Sequence, residues 1–335
     1  MITCSQIVVH AAGWQQQLAQ GFSRPQELLL ALGLRQHPLV DHDSQPFAMK
    51  VPRGFAARME RGNPDDPLLL QVLPQRREHH ETPGYSRDPL AEVDAAPAPG
   101  LIHKYHGRVL LVATGTCAIH CRYCFRRHFP YQAHSRTRAQ WHESIDYIRR
   151  HADITEVILS GGDPLVLSDA RLAGLVDAVQ RIDHVRRLRI HTRLPIVLPE
   201  RITPELSTLL GGSRLRCTVV VHSNHPNELD QTVAQALSRL RAGGTTLLNQ
   251  SVLLQGINDS APTLARLSET LFEHGVIPYY LHVLDPVAGA AHFDLPESRA
   301  TAVYRELMQL LPGYLVPRLV REEPALPYKK PLALY

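Results

Sequence analysis

From residue 104 onward the sequence alternates short apolar runs with stretches whose apolar residues recur at helical spacing, and that alternation limits the fold more than any other feature. The apolar runs fall at 109–113, 156–159, 188–191, 218–222, 247–254 and 279–284. Between them, Leu172, Leu175, Val176 and Val179, then Val233, Leu237 and Leu240, then Leu264, Leu267 and Leu271 each mark one face of a helix. The punctuation agrees. Thr203 followed by Pro204 is a helix N-cap with proline at the first helical position, and Gly243 and Gly275 stand where helices should end. Repeated strand–helix units predict an α/β chain with a parallel sheet. Six units, and a further strand within 314–320, predict a partial (β/α)6-type barrel. An open, doubly wound sheet is the rival architecture.

The first hundred residues do not share this pattern. Residues 24–34 read as a short amphipathic helix, and 51–73 carry helical spacing interrupted by a Gly-Asn-Pro-Asp-Asp-Pro stretch at 62–67. The Pro- and Gly-rich stretch 94–100 opposes both helix and ladder, so a boundary is expected near residue 100, with a mainly helical extension before it. Whether residues 1–100 cap the core, dock a partner or pack a homo-oligomer is left open by the sequence. The formal charge of +4 is dispersed, which argues against a nucleic-acid partner. No apolar run approaches the roughly 18 residues of a membrane span. Five cysteines, three of them clustered with Cys4 and Cys217 apart, fit a reducing compartment better than a disulfide framework, so a soluble cytoplasmic protein is expected.

In such folds the loops after the strands gather at one end, where ligands bind. Here those loops are polar each time: Cys117 follows the first run, Ser160 to Asp163 the second, His191 to Arg193 the third and His222 to His225 the fourth. Asn249 and Gln250 lie in the fifth, and Asp285 ends the sixth. Cys117, Cys121 and Cys124 form a CxxxCxxC motif. Three thiolates on one loop can hold three irons of a [4Fe–4S] cluster and leave the fourth iron open to a small molecule. A structural zinc site completed by His120 or His128 is the alternative. Gly161 and Gly162 remove the Cβ atoms that would keep a ligand from the backbone, and a tight β-to-α turn is the simpler reading of the same residues.

Together, CxxxCxxC and the downstream Ser160-Gly-Gly-Asp-Pro164 resemble the radical S-adenosylmethionine (SAM) enzymes. That resemblance implies Cys117, Cys121 and Cys124 as cluster ligands and Ser160, Gly161, Gly162 and Asp163 at the SAM site. Arg193, His222 and Gln250 complete the SAM region. It also implies one-electron cleavage of SAM to a 5′-deoxyadenosyl radical. Within the superfamily, the run Cys121-Arg-Tyr-Cys124-Phe-Arg126-Arg127, Arg193-x-Pro195, the stretch from Asn224 to Glu228, that from Asn249 to Leu254, and the tail from Val316 to Pro331 are similar to the lysine 2,3-aminomutases. By that similarity Lys329 carries pyridoxal phosphate (PLP) as a Schiff base within a 314–335 tail packed on a 101–313 barrel. A Lys329-Lys330-Pro331 sequence stands where the family has Lys-Thr-Pro, which keeps Lys330 as an alternative. Lys104 and Arg108 become candidates for the PLP phosphate.

The substrate reading follows from charge. A guanidinium fork suits an α-carboxylate, and Arg126 matches the family arginine; buried acids suit an ε-ammonium, and Asp285 and Glu322 match the family acids. These acids favour lysine over glutamate. The leader and the short tail resemble a bacterial branch of the family that makes (R)-β-lysine from (S)-α-lysine for a ligase that modifies translation elongation factor P. A catabolic or osmolyte-producing aminomutase is the alternative enzyme, and an iron–sulfur or zinc binding module the non-enzymatic one.

Overall fold

The computed structural model describes residues 13–41, 47–131, 141–324 and 326–333, so that Cys4 lies outside the described residues. One sheet organises the chain. Its strands are β1 (Leu101–Tyr105), β2 (Arg108–Thr114), β3 (Glu156–Gly161), β4 (Arg187–Thr192), β5 (Arg216–Val221), β6 (Thr246–Val252), β7 (Ile277–His282), β8 (Arg318–Arg321) and β9 (Lys330–Pro331). They stand side by side in chain order. Every neighbouring pair from β2 to β8 is parallel, while β1 and β9 run antiparallel at the two edges.

A sheet whose order never reverses has no switch point, which excludes the doubly wound alternative and leaves the partial barrel. Each parallel step is bridged by a helix: Trp141–Arg150, Asp169–Gln180, Pro204–Gly211, Gln231–Ala242, Ala261–Glu273 and Glu297–Leu310 in turn. Those helices bury the faces expected from their spacing, Leu172, Leu175, Val176 and Val179 on one and Val233, Leu237 and Leu240 on another. Full burial of each such leucine or valine contributes about 2 kcal/mol. Thr203 accepts a hydrogen bond from the Leu206 amide as an N-cap, and Gly243 caps the following helix.

The extension contributes short helices at Trp14–Ala19, Pro25–Ala31, Arg53–Ala56 and Pro67–Leu70. Their apolar side chains do not form a core of their own. Leu28, Phe55, Leu68 and Leu73 belong to the same buried cluster as Leu111, Leu159 and Val219 of the sheet. Two strands were not expected from the sequence. The first, β1, hairpins back from β2 through Gly107, whose φ of 72° suits glycine. The second, β9, returns the tail along β8, pairing Arg321 with Lys330 and so setting Lys329 beside Glu322.

Candidate active site

A cavity of about 510 Å³ opens at the carboxyl ends of the strands. All sixteen candidate site residues carried forward from the sequence line it, from Lys104 near one edge of the sheet to Lys329 near the other. Lys330 is absent from that lining and pairs with Glu323 at 3.0 Å on the exposed side of the tail.

The cysteine loop leaves β2 and is held from behind by the extension. Lys50 Nζ donates to the Cys117 carbonyl at 3.0 Å, and the Arg122 amide donates to the Gln71 carbonyl at 2.9 Å. Arg122, fully buried between Cys121 and Cys124, places Nε 2.9 Å from Glu78 Oε1 and donates Nη1 to the Phe47 carbonyl at 2.8 Å. Arg127 reaches the same Glu78 carboxylate at 2.6 Å. Burial alone would raise the Glu78 pKa, but its two arginines hold it below the ordinary carboxylate range. Nothing in the sequence marked Glu78, whose partners Arg122 and Arg127 lie 44 and 49 residues away.

The three thiols face the cavity without their histidine alternatives. His120 directs Nδ1 to the Ala48 carbonyl at 2.7 Å, and His128 directs Nε2 to the Ala288 carbonyl at 3.0 Å. Among the described residues no three His, Cys, Asp or Glu side chains converge on a single-ion site. Arg193 Nη1 donates to Cys121 Sγ at 2.7 Å, and its Nη2 is shared between Gln71 Oε1 at 2.7 Å and Glu228 Oε2 at 3.0 Å. Burial pushes the Cys124 thiol up to about 11, with Cys121 adding to the shift, so that thiol loses its proton readily only when a cation binds the sulfur. A charged donor already aimed at one sulfur fits a ligand that is anionic when loaded.

At the end of β3 the glycines, which line the cavity, also meet the backbone of the cysteine loop. A Cβ at Gly162 would lie 2.4 Å from the Thr116 carbonyl oxygen, and one at Gly161, where φ is +112°, would lie 2.6 Å from that of Thr114. The Gly162 and Asp163 amides donate to those same two carbonyls at 2.7 and 2.8 Å. The double glycine therefore lets the β3 turn press against the backbone of the cysteine loop. Asp163 likewise spends its carboxylate on protein: it accepts from the Leu165 amide at 3.0 Å, Thr192 Oγ1 at 2.7 Å and the amides of Arg193 and Leu194 at 2.8 and 3.1 Å. It ties the end of β3 to the end of β4.

Further round the cavity, His191 and His222 meet ring to ring at 3.2 Å, and burial drives the His222 pKa down to about 3, which keeps that ring neutral. Gln250 Oε1, His282 Nε2 and Asp285 Oδ1 are buried with no hydrogen-bond partner among the described residues. An unmatched buried polar group costs about 1–3 kcal/mol, so these walls suit a polar guest. Burial first, and the Glu322 charge second, push Asp285 up to about 7. Glu322 bridges Lys329 at 2.6 Å and Lys104 at 3.2 Å; despite burial these ammonium groups hold it down to about 2. Arg108 stacks over Tyr105 at 4.5 Å. Arg126 is not an empty fork. Its Nε and Nη2 meet the two oxygens of Glu92, each at 2.7 Å, and Nη1 donates to Ser160 Oγ at 2.9 Å. Glu92 and His282 were not singled out by the sequence.

Residues 111–208 match the model of the Radical SAM superfamily. The chain is 50% identical over 324 residues to the L-lysine 2,3-aminomutase of Escherichia coli strain K12, covering 96% of this chain and 94% of that protein. It is 47% identical over 318 residues to the L-lysine 2,3-aminomutase of Haemophilus influenzae Rd, covering 94% of each. A third L-lysine 2,3-aminomutase, from Buchnera aphidicola of Baizongia pistaciae, is 43% identical over 318 residues, again 94% of each chain.

Proposed function

Because the chain belongs to the L-lysine 2,3-aminomutase family of radical SAM isomerases, we propose that it moves the α-amino group of free (S)-α-lysine to C3, giving (R)-β-lysine, with a [4Fe–4S] cluster, SAM and PLP sharing one cavity. The observation that carries this reading is that Cys117, Cys121 and Cys124 line the same cavity as Lys329, which stands within 2.6 Å of Glu322. When bound, the cluster with SAM supplies a hydrogen-abstracting carbon radical, and PLP supplies a π-system able to carry the migrating nitrogen.

In this reading Cys117, Cys121 and Cys124 hold the cluster, and Arg193 steadies Cys121 from outside. Ser160 to Asp163 with His222 and Gln250 form the SAM region, where the orphaned Gln250 Oε1 is a ready acceptor for an ammonium or hydroxyl. Lys329 carries PLP, and Lys104 and Arg108 take its phosphate. Arg126 orients the substrate carboxylate while Asp285 and Glu322 receive the ε-ammonium. The neutral rings of partly buried His191 and His222 and of buried His282 help keep water from the reacting carbons. The division of labour is then 1–100 as a brace for the cysteine loop, 101–313 as the radical-generating barrel, and 314–335 as the segment that brings the PLP lysine back to it.

The acids separate lysine from glutamate. An ammonium ion in the cavity favours ionised Asp285, so productive binding is coupled to loss of the proton that Asp285 keeps below about pH 7. We expect kcat/KM for lysine to be level above about pH 7 and to fall about tenfold per unit below it. The same profile in Asp285→Asn should lose that limb. A wild-type profile without a break near neutrality removes Asp285 as the ammonium partner.

The product is proposed to serve β-lysylation of elongation factor P through a partner ligase in the cytoplasm. The mass of elongation factor P in cells lacking this chain tests that step. Loss of the β-lysyl increment supports it, and an unchanged increment favours the catabolic or osmolyte-producing alternative.

A further inference from the structure

Glu92 lies in the stretch that the sequence reads as the approach to a linker, yet it is 4% exposed and lines the cavity. It is held there from both sides. Upstream, the Ser86 amide donates to the Pro286 carbonyl and the Ala288 amide to the Ser86 carbonyl, each at 2.9 Å, which pins the segment beside Asp285. Adjacent to Glu92, both carboxylate oxygens of Asp88 accept from the amides of Glu92 and Val93, at 3.0 and 3.2 Å. Ala91 has a φ of +48°, the one positive φ at a non-glycine residue among the described residues. A strained backbone of this kind persists where its surroundings over-determine it, and here it turns the next side chain inward.

What Glu92 meets is the side edge of the Arg126 guanidinium, Nε and Nη2 together, while Ser160 takes one hydrogen of Nη1. A guanidinium has five N–H groups. Three are therefore engaged, and one remains on each terminal nitrogen, a pair that a carboxylate can take with its two oxygens. Three protein contacts also fix the plane of the fork, which a flexible arginine side chain cannot do alone. We propose that Glu92 is a positioning residue for the substrate α-carboxylate, acting through Arg126 by locking the guanidinium so that its two remaining N–H groups face the incoming group. This rests on the reading of Arg126 as the carboxylate-binding arginine.

The test compares L-lysine with L-lysinamide, which lacks the carboxylate, in wild type, Glu92→Gln, Glu92→Asp, Arg126→Met and the Glu92→Gln/Arg126→Met double variant. Iron and PLP contents are checked first, so that only loaded protein is scored. Glu92→Gln should raise KM for lysine about tenfold, more than it lowers kcat, while the inhibition constant of lysinamide stays put. Glu92→Asp, which retains the charge, should recover part of the loss, and keeps the test open where the glutamine variant does not fold. In the Arg126→Met background Glu92→Gln should add nothing further. Equal penalties on lysine and lysinamide, additive penalties in the double variant, or a lower KM for lysine would overturn the proposal, the last by marking Glu92 as a competitor for the fork. Should Arg126→Met leave the preference for lysine over lysinamide unchanged, the Arg126 reading itself fails, a result distinct from any failure confined to Glu92.

Discussion

Lys329→Ala is expected to abolish both PLP retention and lysine turnover while leaving the iron content of the protein intact. The two lysines of the tail differ in where the β8–β9 ladder sends them. Arg321 and Lys330 are register partners. Lys330 pairs outward with Glu323, whereas Lys329 lies on the cavity side with its ammonium on Glu322 and 5.8 Å from the centre of the Tyr280 ring. An amine attacks an aldehyde only in its neutral form, so Lys329 would have to leave the Glu322 carboxylate, which it meets at 2.6 Å, in order to hold PLP. Borohydride reduction followed by peptide mapping reads the attachment site directly. The label should appear on Lys329 in wild type and in Lys330→Ala and be missing in Lys329→Ala. A label on Lys330 would place the tail one residue out of register. Loss of iron together with PLP would show that Lys329 is needed for the fold of the cavity and not for one cofactor alone.

Much of this site could be read from the chain because strand ends are easy to find. Buried parallel strands are largely apolar, so the polar residues that follow or end a run stand out, and Cys117, Ser160, Arg193, His222 and Asp285 were found that way; Gln250 stood out as a polar residue inside the fifth run. The helices were equally plain where one face is buried, as at Leu264, Leu267 and Leu271. Edge elements were not: β1 is buried at Leu101 and Ile102 and only partly buried after them, without a strand's alternation, and β9 has two residues and no pattern of its own. The choice between a barrel and a doubly wound sheet needed the strand order, which periodicity does not carry.

The double glycine shows a different limit. That Gly161 and Gly162 allow a close backbone approach was legible, but the partner is the cysteine loop at Thr114 and Thr116, and only the fold brings them together. Ion pairs across long separations were invisible for the same reason. Glu92 is 34 residues from Arg126, and Glu78 is 44 from Arg122, so neither spacing follows helix or strand periodicity. The extension thus read as an appendage, although it supplies the carboxylates that hold three arginines in and just after the cysteine motif, Arg122, Arg126 and Arg127.

The second large effect is expected from Cys121→Ala. On the proposed reading it removes one of three cluster ligands, and it strips Arg193 of the sulfur that its Nη1 meets at 2.7 Å, leaving a buried guanidinium donor unmatched. Loss of a ligand from a three-cysteine site should remove the cluster, and with it reductive cleavage of SAM, while PLP still reaches Lys329. That separation makes the variant the natural control for the central claim, that a radical source and a lysine-holding cofactor act on one substrate in one cavity. The deciding measurement is an anaerobic incubation with SAM, a strong one-electron reductant and L-lysine, scored by chiral chromatography. Wild-type protein loaded with iron, sulfide and PLP should yield (R)-β-lysine, and Cys121→Ala should yield none. Absence of β-lysine from the loaded wild type, or equal β-lysine from Cys121→Ala, would contradict the account.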